Sequence, residues 1–254
     1  MKRRLIWLLL LWFIAPIGTF ACSCAWPGPM PCGARTLGPN GVLFVGTVTH
    51  IDNPAPDDGG LGGTGEAHYR FHIDEAFGGT VGAEVDVYSG RGGADCSYHF
   101  EQGKKYLVSP YEKDDGRLFA TIWSITRPFE QAQAKLAQLR AMRDHQRVAS
   151  VYGVLSTSEQ PYDSVTDNTL GEPLGNTRVV LRSNGQIFET VTDSNGVYAT
   201  YDVPGGEYHF SAELPENLEL AETIVDNPLP PLKLPADACY EYDVDALPTG
   251  SIRG

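Results

Sequence analysis

The sequence predicts a mainly β fold made of two modules: a small five-stranded barrel with a C-terminal helix, followed by a β-sandwich. Three observations predict it. Short runs of alternating apolar and polar residues recur along the chain, turn residues separate these runs, and one amphipathic helical pattern lies between the two groups. The length of 254 residues suits two ordinary domains better than one.

The first 24 residues predict export. Lys2-Arg3-Arg4 precede an apolar run over residues 5–18, and these 14 residues fall short of the ~18–20 that cross a bilayer. Residues 1–21 therefore read as a signal peptide, and Cys22 as the first mature residue. A retained anchor helix is one alternative. Lipid attachment at Cys22 is another, which the bulky Phe20 disfavours. The predicted location is extracellular or in the cell envelope, with no membrane span after signal removal.

Charge and cysteine content restrict the function. The formal net charge is −13, and from Ser150 onward there are 17 Asp and Glu residues against four Lys and Arg residues. Such a surface repels phosphate backbones, so nucleic acid is excluded as a predicted partner. The five cysteines, at positions 22, 24, 32, 96 and 239, suit an oxidising compartment. Because five is odd, at least one thiol is free or pairs with another molecule.

The first module, residues 22–149, begins with a Pro- and Gly-rich arm over residues 24–40 that needs anchoring by a cysteine. Five strand patterns follow, at residues 41–51, 66–77, 84–89, 104–110 and 117–123. Five antiparallel strands with a flanking helix fit a small closed barrel of the OB type, because closure removes exposed sheet edges.

One helix is predicted, over residues 128–147. Pro128 suits a first helical turn, and apolar residues recur at helical spacing from Phe129 to Met142. This apolar stripe is expected to contact the barrel sheet. Lys135, Arg140 and Arg143 are expected to face water.

The second module, residues 150–249, has strand patterns at short, regular spacing. They lie at residues 151–155, 177–182, 186–192, 197–201 and 208–213. Asn184-Gly185 is a strong hairpin signal, and the run from Asp193 to Gly196 reads as a turn rather than a calcium loop, because it lacks a closing Glu. Short strands separated by turns indicate a β-sandwich.

Several motifs of the first module resemble the netrin-type module, in particular the tissue inhibitors of metalloproteinases. They are Cys22-Ser23-Cys24, Phe44-Val45-Gly46-Thr47-Val48, Phe77-Gly78-Gly79-Thr80-Val81-Gly82 and Tyr106-Leu107-Val108, with the closing helix. In those inhibitors the amine and carbonyl of the first cysteine chelate the zinc of the protease, and the second residue enters its specificity pocket. The resemblance therefore implies that Cys22 chelates, that Ser23 enters the pocket and that Cys22 pairs with Cys96.

The chain departs from this family at one disulfide. Residues 123–125 lack the cysteine in which the second bridge of the family usually ends, so Cys24 has no usual partner. Cys32 or Cys239 could take that place. Netrin-type modules also serve as binding or docking units outside protease inhibition.

The second module is similar to the carboxypeptidase regulatory-like, transthyretin-like domains. The resemblance rests on Gly153-Val154-Leu155, Gly171-Glu172-Pro173-Leu174, Thr192-Asp193-Ser194-Asn195-Gly196-Val197-Tyr198 and Val203-Pro204-Gly205-Gly206-Glu207-Tyr208. It implies a prealbumin-like sandwich that acts as a spacer or binding module without catalytic residues.

Other candidate chemistry is weak. His68 and His72 share a strand face but lie ~13 Å apart at 3.3 Å per residue, so they read as solvent-facing rather than as a metal pair. A nucleophile made of Cys96 and His99 conflicts with the expected disulfide. Of the tyrosines at 198, 201 and 208, a possible sugar-stacking platform, at least some must be core.

The predicted function is a secreted, non-enzymatic binding protein that recognises an extracellular protein and needs no cofactor or intrinsic metal. Two alternatives remain open. One is inhibition of a zinc metalloproteinase through Cys22, and the other is an accessory module for glycan or envelope attachment.

Overall fold

The computed structural model describes residues 30–31, 41–53, 65–79, 81–91, 96–122, 124–158, 171–220 and 231–249. Within these ranges the protein is mainly β, with 17 strands and one α-helix, so the predicted fold class is confirmed. The predicted signal peptide and the motif Cys22-Ser23-Cys24 lie outside the described residues. The two module boundaries stay predictions.

The first sheet curls into a half-barrel of seven strands. They are β2 (Leu43–Asp52), β3 (Glu66–Gly78), β4 (Glu84–Gly90), β5 (Lys105–Val108), β6 (Tyr111–Glu112), β7 (Leu118–Phe119) and β8 (Arg127–Pro128). Across the sheet they lie in the order β6-β7-β4-β3-β2-β5-β8. All five predicted strands are present, and the two-residue strands β6 and β8 are additional. In the described part of the sheet, these two end strands do not pair with each other.

Strand β2 is buried on both faces. Phe44 and Val48 belong to the core inside the half-barrel, where Phe44 meets Phe71 edge to face at 5.7 Å between ring centroids. Leu43 and Val45 belong to a second cluster under the helix. Burial on both faces in the first part of the strand explains why Leu43, Phe44 and Val45 follow one another as an apolar run.

The helix follows the half-barrel directly. A 3₁₀ turn (Phe129–Ala132) leads into α1 (Gln133–Arg143), which ends four residues before the predicted position. Leu136 and Leu139 pack on the outer face of the half-barrel, as the apolar stripe predicts.

The rest of the chain forms a sandwich of two sheets. Its strands are β9 (Val151–Thr157), β10 (Arg178–Ser183), β11 (Gln186–Val191), β12 (Val197–Thr200), β13 (Gly206–Ala212), β14 (Leu218–Leu220), β15 (Leu232–Leu234), β16 (Ala238–Glu241) and β17 (Val244–Pro248). The five predicted strands are present, and β14 to β17 are additional. One sheet has the order β11-β10-β13-β15. In the other, β9 pairs with β12 on one edge and with β16 and β17 on the other.

The predicted turns of the sandwich form as expected. The two-residue loop after Ser183 leaves Ser183 paired with Gln186, and Gly185 takes a left-handed φ of 83°. At the next turn the backbone N–H of Asn195 donates to Asp193 Oδ1 at 2.8 Å. Between the sheets the largest fully buried side chains are Tyr198 and Tyr208.

Candidate binding surfaces

The predicted cysteine site is only partly described. Cys22, Ser23, Cys24 and Cys32 lie outside the described residues, whereas Cys96 and Cys239 are described and each is disulfide-bonded. The pairing of Cys22 with Cys96 therefore stays a prediction. A disulfide-bonded Cys96 cannot supply the thiolate that a Cys96–His99 nucleophile needs.

The arm reaches the sandwich rather than the half-barrel at one described point. Strand β1 (Met30–Pro31) pairs antiparallel with β16, with Met30 opposite Cys239 and Pro31 opposite Ala238. The sequence reads this part of the arm as irregular. The strand escaped prediction because it is two residues long and depends wholly on a partner about 200 residues away in the chain.

Helix α1 contacts both modules. On the side opposite the half-barrel, Ala134 belongs to a buried cluster with Ala149, Tyr152, Val154 and Cys239 of the sandwich region. Met142 also packs against this cluster, although the sequence places it on the stripe facing the half-barrel. The helix is thus a shared wall between the two modules.

Gln138 fixes the chain as it enters the sandwich. Its side chain is buried, its Oε1 accepts from the N–H of Ala149 at 3.0 Å, and its Nε2 donates to the carbonyl of Ala149 at 2.9 Å. Nε2 also lies 3.3 Å from the Sγ atom of Cys239. Both backbone polar groups of Ala149 are satisfied by one buried amide, so the short connection between the modules has little freedom.

A buried ionic cluster lies at the same junction. The Lys135 ammonium donates to the Tyr152 hydroxyl at 2.7 Å and pairs with Glu241 Oε2 at 3.0 Å. Arg127 Nη1 donates to the other oxygen of Glu241 at 3.0 Å and lies 3.6 Å from Asp243 Oδ2. The Lys135 side chain is only 4% exposed, so the prediction that Lys135 faces water is wrong.

The error has a physical reason. Sequence periodicity identifies one apolar face, whereas α1 is covered on two sides. The second side carries small or polar residues whose partners come from the distant segment 239–243. Arg140 and Arg143 do lie at the surface, where both pair with Glu75 of β3.

The junction also shifts two pKa values. Burial raises the pKa of the Tyr152 phenol well above its ordinary value, and the negative charge of Glu241 is the second-largest cause. Burial of the carboxylate raises the pKa of Asp243 to about 6, and the negative charge of Glu241 is again the second-largest cause. Both shifts favour the neutral form of a group beside a charged pair.

The outer face of the half-barrel carries a polar chain of side chains. Asp52 accepts from His50 at 3.0 Å and from Nδ1 of His68 at 2.9 Å. On its other side, the His68 ring lies 3.0 Å from Asp86, which also binds Arg70 at 2.9 Å. The hydrogen bond from His68 is the largest cause of the lowered pKa of Asp52, and the hydrogen bond from His50 is the next.

This arrangement corrects the prediction for His68. Its side chain is 20% exposed and stacks on Tyr88 with 4.9 Å between ring centroids, so it is held between carboxylates rather than facing solvent freely. His72 is exposed. No group of three His, Cys, Asp or Glu residues in the described ranges is placed to hold a metal ion.

The sandwich has one exposed apolar edge. Strand β11 is the outermost strand of its sheet, and Ile187 and Val191 are 54% and 57% exposed. Nearby, Tyr201 is 41% exposed. The guanidinium of Arg147 lies over the Tyr201 ring, 4.8 Å from the ring centroid. A platform of Tyr198, Tyr201 and Tyr208 does not form, because Tyr198 and Tyr208 are core.

Comparisons with known proteins add no relative. No protein-family model matches the chain, and a search of curated proteins finds no significant match. Among the described residues, no helix combines the length and apolar character needed to cross a bilayer. The two family resemblances therefore stay predictions.

Proposed function

We propose that this chain is a secreted, non-enzymatic binding protein whose two β modules are held together as one body. The observation that carries the proposal is the burial of helix α1 on two sides, by Leu136 against the half-barrel and by Ala134 against the sandwich. A rigid pair of modules loses little conformational freedom when it binds, which favours recognition of a partner protein. Both resembled families include binding units, which supports the same role.

The partner-facing tip in this proposal is the mature N-terminus, with Cys22 and Ser23 at its end. Two observations bear on how the arm is attached. Cys96 and Cys239 are both disulfide-bonded. The pairing of Met30–Pro31 with β16 brings the chain next to Cys239 one residue before Cys32. This favours Cys32 over Cys24 as the partner of Cys239, with Cys22 paired to Cys96.

Mass spectrometry of the mature protein, with disulfide mapping under non-reducing conditions, tests the proposal. The expected result is a chain that begins at Cys22 with a free amine, with bridges from Cys22 to Cys96 and from Cys32 to Cys239. A chain that begins elsewhere, or Cys96 bridged to another cysteine, would contradict it. A lipid mass on Cys22 would instead support the envelope-attachment alternative.

Inhibition of a zinc metalloproteinase is the second candidate, favoured by the disulfide at Cys96. A neutral amine and the carbonyl of the same residue form a chelate that displaces zinc-bound water, and Ser23 would enter the specificity pocket. One Ala inserted before Cys22 should abolish inhibition across a panel of metalloproteinases. One Ala added after Gly254 is the control, and equal behaviour of the two variants rejects chelation.

A further inference from the structure

Strand β11 has one edge that pairs with no other strand in the part of the chain that the structure describes. The hairpin register pairs Ser183 with Gln186, and hydrogen-bonded and non-bonded pairs alternate along an antiparallel ladder. The N–H of Glu213 donates to the carbonyl of Arg178 at 2.9 Å, so Arg178 faces β13 and its partner Val191 is a non-bonded position. The N–H and C=O groups of Ile187, Glu189 and Val191 therefore point away from β10.

No backbone hydrogen bond within the described ranges involves those six groups. We name this surface the β11 edge, defined by Ile187, Glu189 and Val191. Edge strands are usually protected by charged side chains, Pro or a bulge. The β11 edge has neither Pro nor a bulge, and Glu189 is its one charged side chain. Instead it presents an exposed apolar side chain at each end.

The three side chains of the β11 edge lie on one face of the sheet in the order apolar, acidic, apolar. Glu189 Oε1 accepts from Arg178 Nη2 at 2.6 Å, and Arg178 is shared with Glu213, so one cation serves two carboxylates. The module around this edge, residues 150–249, has 17 acidic residues against three basic ones. The β11 edge is thus complementary to a strand whose side chains alternate as apolar, basic, apolar.

We propose that the β11 edge binds an extended segment of a partner protein as an added strand, with the pattern apolar-x-Lys/Arg-x-apolar. Main-chain hydrogen bonds to Ile187, Glu189 and Val191 would supply affinity, and the central cation opposite Glu189 would supply selectivity. This inference rests on the proposed binding role and names its partner chemistry.

A second copy of this chain fits the edge less well. In antiparallel pairing of two β11 edges about a two-fold axis, Glu189 lies opposite Glu189, Ile187 or Val191 of the other copy. The first register places like charges together, and the other two leave the carboxylate opposite an apolar side chain. The net charge of −13 adds repulsion between copies. Self-association is therefore an outcome that would overturn the proposal.

The test uses the mature protein and a capped peptide, Thr-Val-Thr-Lys-Thr-Val-Thr, with the same peptide carrying Glu in place of Lys as its control. Amide hydrogen exchange is measured by NMR. The Lys peptide should slow exchange at Ile187, Glu189 and Val191, and leave Phe188 and Thr190 unchanged because these already bond to β10. The Glu peptide should bind about fivefold to tenfold more weakly.

A charge exchange sharpens the test. Glu189→Lys should reverse the preference, so that the Glu peptide binds more tightly than the Lys peptide. Glu216→Lys makes the same charge change at an exposed position outside the β11 edge and its Arg178 pairing, and should keep the wild-type preference. Equal affinity of both peptides for the wild-type protein, or no slowed exchange with either, would overturn the proposal. Concentration-dependent protection without peptide would also overturn it, in favour of a dimer.

These outcomes are separate from the test of the proposed function. Failure of the peptide leaves the mature N-terminus and the disulfide map as they are found. A different N-terminus leaves the exchange pattern of the β11 edge unchanged.

Discussion

Replacing Lys135 by Met should destabilise the protein far more than an ordinary lysine substitution. The change keeps the length of the side chain and removes its charge, so the Tyr152 hydroxyl loses its donor at 2.7 Å and Glu241 loses a cation at 3.0 Å. Breaking a buried ion pair on one side costs about 3–5 kcal/mol. Because Glu241 keeps Arg127 at 3.0 Å, we expect the lower end, about 3 kcal/mol.

The assay is urea unfolding followed by circular dichroism. Lys104→Met is the matched control, because Lys104 is 61% exposed in its pair with Glu101, and it should leave the free energy of unfolding nearly unchanged. Glu241→Gln alone should also destabilise, and the double variant should cost less than the sum of the single changes because the partners are removed together. Equal costs for Lys135→Met and Lys104→Met, or strict additivity, would refute the reasoning.

Three further predictions concern neighbouring positions. The raised pKa of Asp243, about 6, means that its contribution to stability is present below pH 4 and is lost as pH rises through 6. Asp243→Asn should therefore stabilise the protein at pH 7, by about 1 kcal/mol after allowance for a half-exposed side chain, and should have no effect at pH 4. Leu136→Ala should cost about 3 kcal/mol in urea unfolding, because its side chain is fully buried, and a cost below 1 kcal/mol would contradict the packing described. Gly153→Ala should cost about 1–3 kcal/mol, because its methyl group would overlap a backbone carbonyl between β16 and β17, whereas Gly82→Ala has ordinary contacts and should be neutral in the same unfolding assay.

The sequence predicts those parts of the fold that local signals determine. Alternation identifies β3 of the half-barrel, because one of its faces is buried and the other is polar. The residues Asn184-Gly185 fix the register of β10 and β11, because Gly185 accepts the left-handed backbone of the turn without steric cost. Helix α1 is recognisable from its apolar stripe.

The parts that escape prediction depend on distant partners. Strands β14 to β17 are short, and β16 and β17 reach β9 by parallel pairing across about 90 residues. The burial of Lys135 depends on Glu241, and the half-buried position of His68 depends on Asp52 and Asp86 from two other strands. The local sequence pattern around each of these residues does not indicate which distant residue it contacts.

The β11 edge escapes prediction for a different reason. The alternation around Ile187 and Val191 predicts a strand, but it does not tell whether a neighbour covers the strand or which residues expose their backbone groups. Those properties come from the order of strands in the sheet, which only the structure gives.

Amide hydrogen exchange in increasing urea tests the central claim, that helix α1 joins two β modules into one body. The measurement compares Phe71 and Leu107 of the half-barrel with Leu181 of the sandwich, all fully buried. We predict that the three amides reach the same opening free energy, and that Lys135→Met lowers it equally for all three. Two different opening free energies, one for each module, with only one of them changed by Lys135→Met, would contradict the claim.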